Sequence, residues 1–276
     1  MTRPAFLKRT LALVALATLF GYASEADNKL GAGYLPPGDF DPGKALELIF
    51  PGLEIKGDAA LWEVPEWEAD PARTKPVWGL VKLEVLDSLR FRQADAKRIF
   101  LVFQSVPAEQ EYNCRNFCAP DVGAATFTNT ENGWRLDAVS RVMGRVGGGG
   151  KASKPKLVKL GPERYGVVLW SMGMGQGSTV QADTYFLETG TSVKEVLQIT
   201  TYSDNGGSCG CEREVCDPDD PNLMTCFEIV STVEFVPGKN AVVFDLKVTQ
   251  TDRLDDTLKG VTLYSYTDGM YRETSP

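Results

Sequence analysis

The sequence predicts an all-β fold of antiparallel hairpins, closing into a β-sandwich or a partial propeller-like domain, with a short N-terminal helix and an irregular arm. Three observations predict it. Apolar runs of strand length recur from residue 77 onward, and pairs of them flank turn signals. No convincing helical periodicity follows residue 100. Six cysteines, an even number, sit beyond an N-terminal segment that reads as an export signal.

Arg3, Lys8 and Arg9 precede an apolar stretch from Leu11 to Phe20, and Gly21 to Ala26 supplies small residues for cleavage. Residues 1–26 therefore read as a signal peptide, with cleavage after Ala26 or after Ala23. The apolar core falls short of the ~20 residues that span a bilayer. No cysteine ends the segment, so it offers no lipid attachment site, and the mature chain is expected to be soluble, periplasmic or extracellular. Residues 27–76 read as the irregular arm and residues 77–276 as one disulfide-containing β domain.

Within the arm one helix is expected from Pro42 to Phe50. Asp41 can cap it, Pro42 suits the first helical position, and Ala45, Leu46, Leu48 and Ile49 form an apolar face that Pro51-Gly52 ends. Val77 to Leu86 alternates like a half-buried strand, and Arg98 to Val106 is a continuous apolar run of the buried type. Ala125–Thr130 and Trp134–Val142 flank Asn132-Gly133, a strong hairpin signal. Further hairpins are expected around Gly161-Pro162, Thr189-Gly190, Pro237 to Asn240 and Asp268-Gly269. Two segments interrupt the rhythm. One is a glycine-rich, basic loop from Gly147 to Lys156, the other a cysteine- and aspartate-rich excursion from Asp204 to Met224.

The chain has 29 basic and 37 acidic residues and a formal net charge of −8; without residues 1–26 it has 26 and 36, a net charge of −10. This balance disfavours nucleic acid and anionic membranes and fits a protein partner with a basic surface. Cys114, Cys118, Cys209, Cys211, Cys216 and Cys226 are the disulfide candidates, because an exported chain meets an oxidising compartment. Six cysteines allow 15 pairings. A zinc site from the last four is the sharper alternative, but their spacing lacks paired C-x-x-C knuckles.

The chain has no histidine, which removes every mechanism that uses an imidazole base or ligand. Ser153-Lys154-Pro155-Lys156 matches S-x-x-K in letters only, since Pro155 opposes the helix that chemistry needs. Gly173 to Ser178 is a G-x-G-x-G run, but a strand follows where a dinucleotide site needs a helix, so it reads as a turn or a contact loop. Asp217, Asp219, Asp220 and Asn222 form a candidate calcium loop. Pro221 in a ligand slot and Asn222 where the turn needs glycine favour a solvated turn, and no other cofactor is expected.

Trp62 and Trp67, set among Glu63, Glu66 and Glu68, read equally as an interface or as plugs for the core. With Gly175, Gln176, Asp217, Asp219 and Asp220 they are the candidate partner-contacting residues, and no catalytic residue is singled out. The sequence thus leads to a non-catalytic binding protein, of the inhibitor or immunity kind that neutralises an envelope-acting enzyme or toxin. The alternatives are a glycan-acting enzyme using paired carboxylates and a calcium-stabilised structural protein.

Overall fold

The computed structural model describes residues 33–56, 59–64, 79–108, 119–207, 209, 226–238, 242–254 and 257–274. Residues 1–26, Trp67, Cys114, Cys118, Cys211, Cys216, Asp217, Asp219, Asp220 and Asn222 lie outside them. No helix among the described residues is long and apolar enough to cross a membrane.

Among the described residues, fifteen strands form two antiparallel sheets, and one helix packs on the first. The first holds β1 (Tyr34–Leu35), β2 (Glu54–Lys56), β3 (Ala59–Glu63), β4 (Leu80–Gln93), β5 (Ala96–Pro107), β6 (Asp121–Thr130) and β7 (Gly133–Arg145). From β2 to β7 it is a meander, and β1 closes it by pairing with the outer edge of β7. The second sheet is an uninterrupted meander of β8 (Lys156–Gly161), β9 (Arg164–Gly175), β10 (Ser178–Thr189), β11 (Ser192–Asp204), β12 (Glu228–Val236), β13 (Asp245–Asp252), β14 (Thr257–Thr267) and β15 (Met270–Thr274). The architecture is a sandwich, because successive hairpins line up in two stacked sheets rather than around a central axis.

Helix α1 spans Pro42–Ile49, and the Asp41 carboxylate accepts hydrogen bonds from the Gly43 and Lys44 amides as its sequence requires. Ala45, Leu46 and Ile49 turn inward onto the first sheet. The remaining arm is more ordered than expected, since β1, β2 and β3 all join that sheet. They are two to five residues long, too short to show the period-two signature of a strand.

Strand β5 explains why its sequence reads as continuous apolar. Ile99, Leu101 and Phe103 face α1, whereas Phe100 and Val102 face the second sheet, so both faces are buried. A Cβ at Gly123 on neighbouring β6 would lie 2.3 Å from both the Phe103 ring and the Arg141 carbonyl, so this crossing admits only glycine. Strand β4 runs seven residues past the expected end at Leu86. Its hairpin to β5 turns on Ala94 and Asp95 at φ of 46° and 66°, a left-handed pair without the glycine or asparagine that usually marks such a turn.

Between the sheets, Phe100, Val102, Val122, Ala124 and Ala138 meet Val167, Leu169, Phe186 and Val193. A buried ionic cluster joins the same layers. Arg98 on β5 donates to Asp137 on β7 at 3.1 Å, to Glu188 on β10 at 2.6 Å and to the Gln93 side-chain oxygen at 3.0 Å. Asp137 also accepts from the Thr128 hydroxyl and from Arg135 Nε.

The second sheet rolls up on its far side. The Phe244 amide donates to the Leu160 carbonyl at the end of β8, and the Tyr271 hydroxyl donates to the Phe244 carbonyl. Residues 242–244 serve this closure, which is why β13 begins at Asp245 rather than directly after the expected turn at Pro237 to Asn240. Tyr185, Leu187, Val196, Leu246, Val248 and Tyr271 fill the roll.

Candidate functional site

The roll is filled at one end and open at the other, and the open end holds the candidate site. Along β9, Val167 and Leu169 point to the first sheet, so Val168, Trp170, Met172 and Met174 fall on the opposite face. Their direct partners on β10 are Tyr185, Asp183, Gln181 and Thr179. Val168 and Tyr185 belong to the filled part. One register step further the core ends, and Trp170 and Met174 are 44% and 41% exposed.

Two depressions of about 300 Å³ and 310 Å³ meet at Trp170. The first lies between the Gly147–Gly149 loop and Trp170, Met172 and Met174. The second is lined on its polar side by Lys154, Lys156, Gln181, Asp183 and Thr201. Three of the four consecutive glycines have positive φ, and a Cβ at Gly147 would lie 2.1 Å from the Lys151 carbonyl oxygen, so the chain reverses here only with glycine. The buried Gln104 side chain accepts from the Ala152 amide, and the buried Ser153 hydroxyl accepts from the Trp170 amide. The glycine-rich loop is thus pinned at both sheets, and the Ser153 hydroxyl has a structural partner in the Trp170 amide.

Burial raises the Asp183 pKa above its ordinary 3.8, and the Lys156 charge partly opposes that rise. The Tyr185 hydroxyl, deeper on the same face, is pushed up to about 12 by burial and then by the Asp183 charge. The cleft therefore offers a flat aromatic face, a thioether slope, a half-buried carboxyl and a rim of Lys151, Lys154 and Lys156. Among its described lining residues Asp183 is the only carboxylate. A glycosidase pair needs a second one within roughly 5–10 Å.

The other candidate residues separate into two groups. Gly175 ends β9, and Gln176 and Gly177 form its turn at φ of 51° and 77°. The Gly207 amide donates to the Gly177 carbonyl, which sets this turn against the base of the cysteine-rich excursion. That base is closed by the Cys209–Cys226 disulfide and by the buried Asn205, whose side chain accepts from the Phe227 amide. Two loops distant in sequence thus meet at the cleft's end of the sheet. Trp62, by contrast, is a core residue at 6% exposure, which settles its two expected readings in favour of the core plug and corrects its place among the partner-contacting candidates. Its indole nitrogen donates to the Pro51 carbonyl, and its ring meets Phe50 edge-on under the Arg141 guanidinium. Large aromatics at the end of a β core bury more area by plugging it than by facing water.

Trp170 itself escapes notice in the sequence because its strand reads as simply apolar. The available signal is that β9 is apolar on both faces while the matching β10 positions, Gln181 and Asp183, are polar. Compared with protein-family models, curated proteins and solved structures, the chain has no match in any of the three.

Proposed function

We propose that this protein is an exported, non-catalytic binding protein whose Trp170 cleft takes an apolar segment of a partner protein flanked by acidic residues. The single observation carrying the proposal is the row of exposed Trp170, half-buried Met172 and exposed Met174 beside a glycine-walled depression. Exposed tryptophan and methionine are favoured where a surface must bury another chain, and they anchor binding through apolar area. The lysine rim supplies the sign preference. Net charge alone favours a basic partner, whereas charge at the cleft favours acidic contacts, and the short-range field governs the docked state. Export rests on residues 1–26 and on the Cys209–Cys226 bond, which needs an oxidising compartment. An inhibitor or immunity role fits a binding surface of this kind.

The test is retention of envelope proteins by immobilised mature protein, compared with Trp170→Ala at equal loading and equal circular dichroism. A single stoichiometric partner held by the wild type and weakened at least tenfold by the substitution is expected. Equal retention by both, or none by either, would reject the proposal. Asp183 opposite Trp170 favours one other reading, a saccharide stacked on the indole with its hydroxyls toward the carboxyl. Oligosaccharide binding lost in Asp183→Asn, with protein retention unchanged, would favour that reading instead.

A further inference from the structure

On the other sheet, far along β4 and β5, the same acidic chain gathers positive charge. Arg92 and Lys97 are directly opposed cross-strand partners, and Arg90 lies two residues from Arg92 on the same face. That face is the one covered by α1, since Arg90 pairs with the core residue Ile99. Like charges placed directly opposite destabilise a sheet, so an acidic protein has no structural reason to put them there. Among the described residues none of the three has a carboxylate within ion-pairing distance.

They line one concavity of about 380 Å³. Its far wall is the arm at Gly38 and Asp39, held in place because the Trp134 indole donates to the Gly38 carbonyl at 3.1 Å. Asn129, cross-strand partner of Trp134, adds a side-chain amide. Phe91 and Arg98 contribute to the floor, but the Arg98 guanidinium is committed to Asp137 and Glu188. Three cations focused by a walled depression raise the local concentration of anions, and arginine forks match the oxygens of a tetrahedral oxyanion.

We infer that this pocket is a binding site for a small ligand carrying a tetrahedral oxyanion, a phosphate or sulfate ester. Arg90, Arg92 and Lys97 hold the anion, and Asn129 and Asp39 are placed for hydroxyl or amide groups beside it. The site is separate from the Trp170 cleft, which lies on the second sheet.

The experiment measures melting temperature in pyrophosphate and in sulfate against sodium chloride of equal ionic strength, using the whole mature protein. At tenfold excess over the dissociation constant the wild type should rise by about 3–6 °C over the chloride control. In Arg92→Gln/Lys97→Gln that rise should vanish, while the melting temperature in chloride stays equal or increases because the opposed charges are gone. Lys154→Gln/Lys156→Gln, at the other cleft, should keep the full rise. A response to pyrophosphate alone assigns the pocket to phosphate-bearing ligands, and a response to both assigns it to tetrahedral oxyanions in general. No rise beyond chloride, or a rise that survives Arg92→Gln/Lys97→Gln, overturns the inference.

Discussion

Replacing Arg98 by methionine tests whether the two sheets act as one folding unit. The Arg98 side chain is 9% exposed, and its partners Asp137 and Glu188 are 13% and 17% exposed. Asp137 would keep Thr128 and Arg135, but Glu188 has no other partner among the described residues. Removing one member of a buried ion pair costs about 3–5 kcal/mol, mostly because a charge stays buried without compensation. The retained partners of Asp137 place the expected loss near the lower bound, about 3 kcal/mol. For a protein of this size that is roughly 6–12 °C in melting temperature. Urea unfolding followed by far-ultraviolet circular dichroism, with calorimetry alongside, measures both quantities. Arg98→Met/Glu188→Leu, which removes the orphaned carboxylate, should recover most of the loss. A single variant within about 1 kcal/mol of the wild type, or a double variant no better than the single, would refute the reasoning. Two separate transitions in the wild type would show that the cluster does not couple the sheets.

Two further outcomes follow from the second sheet. Cys209→Ser/Cys226→Ser opens a loop whose ends are 17 residues apart and should cost about 3 kcal/mol under non-reducing conditions, read from urea melts; a loss below about 1 kcal/mol would mean that Asn205 alone closes the base. Asp183 has a folded-state pKa above its ordinary 3.8, so the native state binds its proton more tightly than the unfolded chain. The stability it contributes is greatest below 3.8 and falls as pH rises through the folded value, so stability relative to Asp183→Asn should decline across that window and then level off. Paired melts across the acid range that show a constant difference would remove the burial argument.

How much could be read from the chain depends on the range of each interaction. The helix is legible because Asp41, Pro42 and an apolar stripe act within three turns. Strands β5 to β12, β14 and β15 are legible because a run of apolar residues and its turn sit side by side in sequence, and β13 is legible with its start displaced. The Ala94-Asp95 turn is not, since its left-handed backbone is imposed by pairing along β4 and β5 rather than by its own residues. Nor are β1 to β3, whose few residues form strands only because an edge is waiting for them. The Gly147–Gly150 loop is visible as glycine-rich, but its anchoring to Gln104 joins residues 48 apart. Trp62 and Trp170 make the sharpest contrast. Both are tryptophans in strand-like contexts, one near glutamates and the other among apolar residues, yet the first is buried and the second exposed, so local surroundings do not decide which faces water.

The sequence by itself determined the class of fold, the helix after Asp41, most of its hairpins and the absence of histidine chemistry, because each depends on composition or on neighbours along the chain. Only the tertiary structure decided which faces are covered. Both faces of β9 are apolar, yet one packs on the first sheet and the other runs out of the roll at Trp170. Arg92 and Lys97 are ordinary surface residues in sequence, and become a shared concavity only when a hairpin sets them opposite each other and Trp134 fixes the arm beside them. Burial depends on what lies across a layer, and across a layer the chain is dozens of residues away.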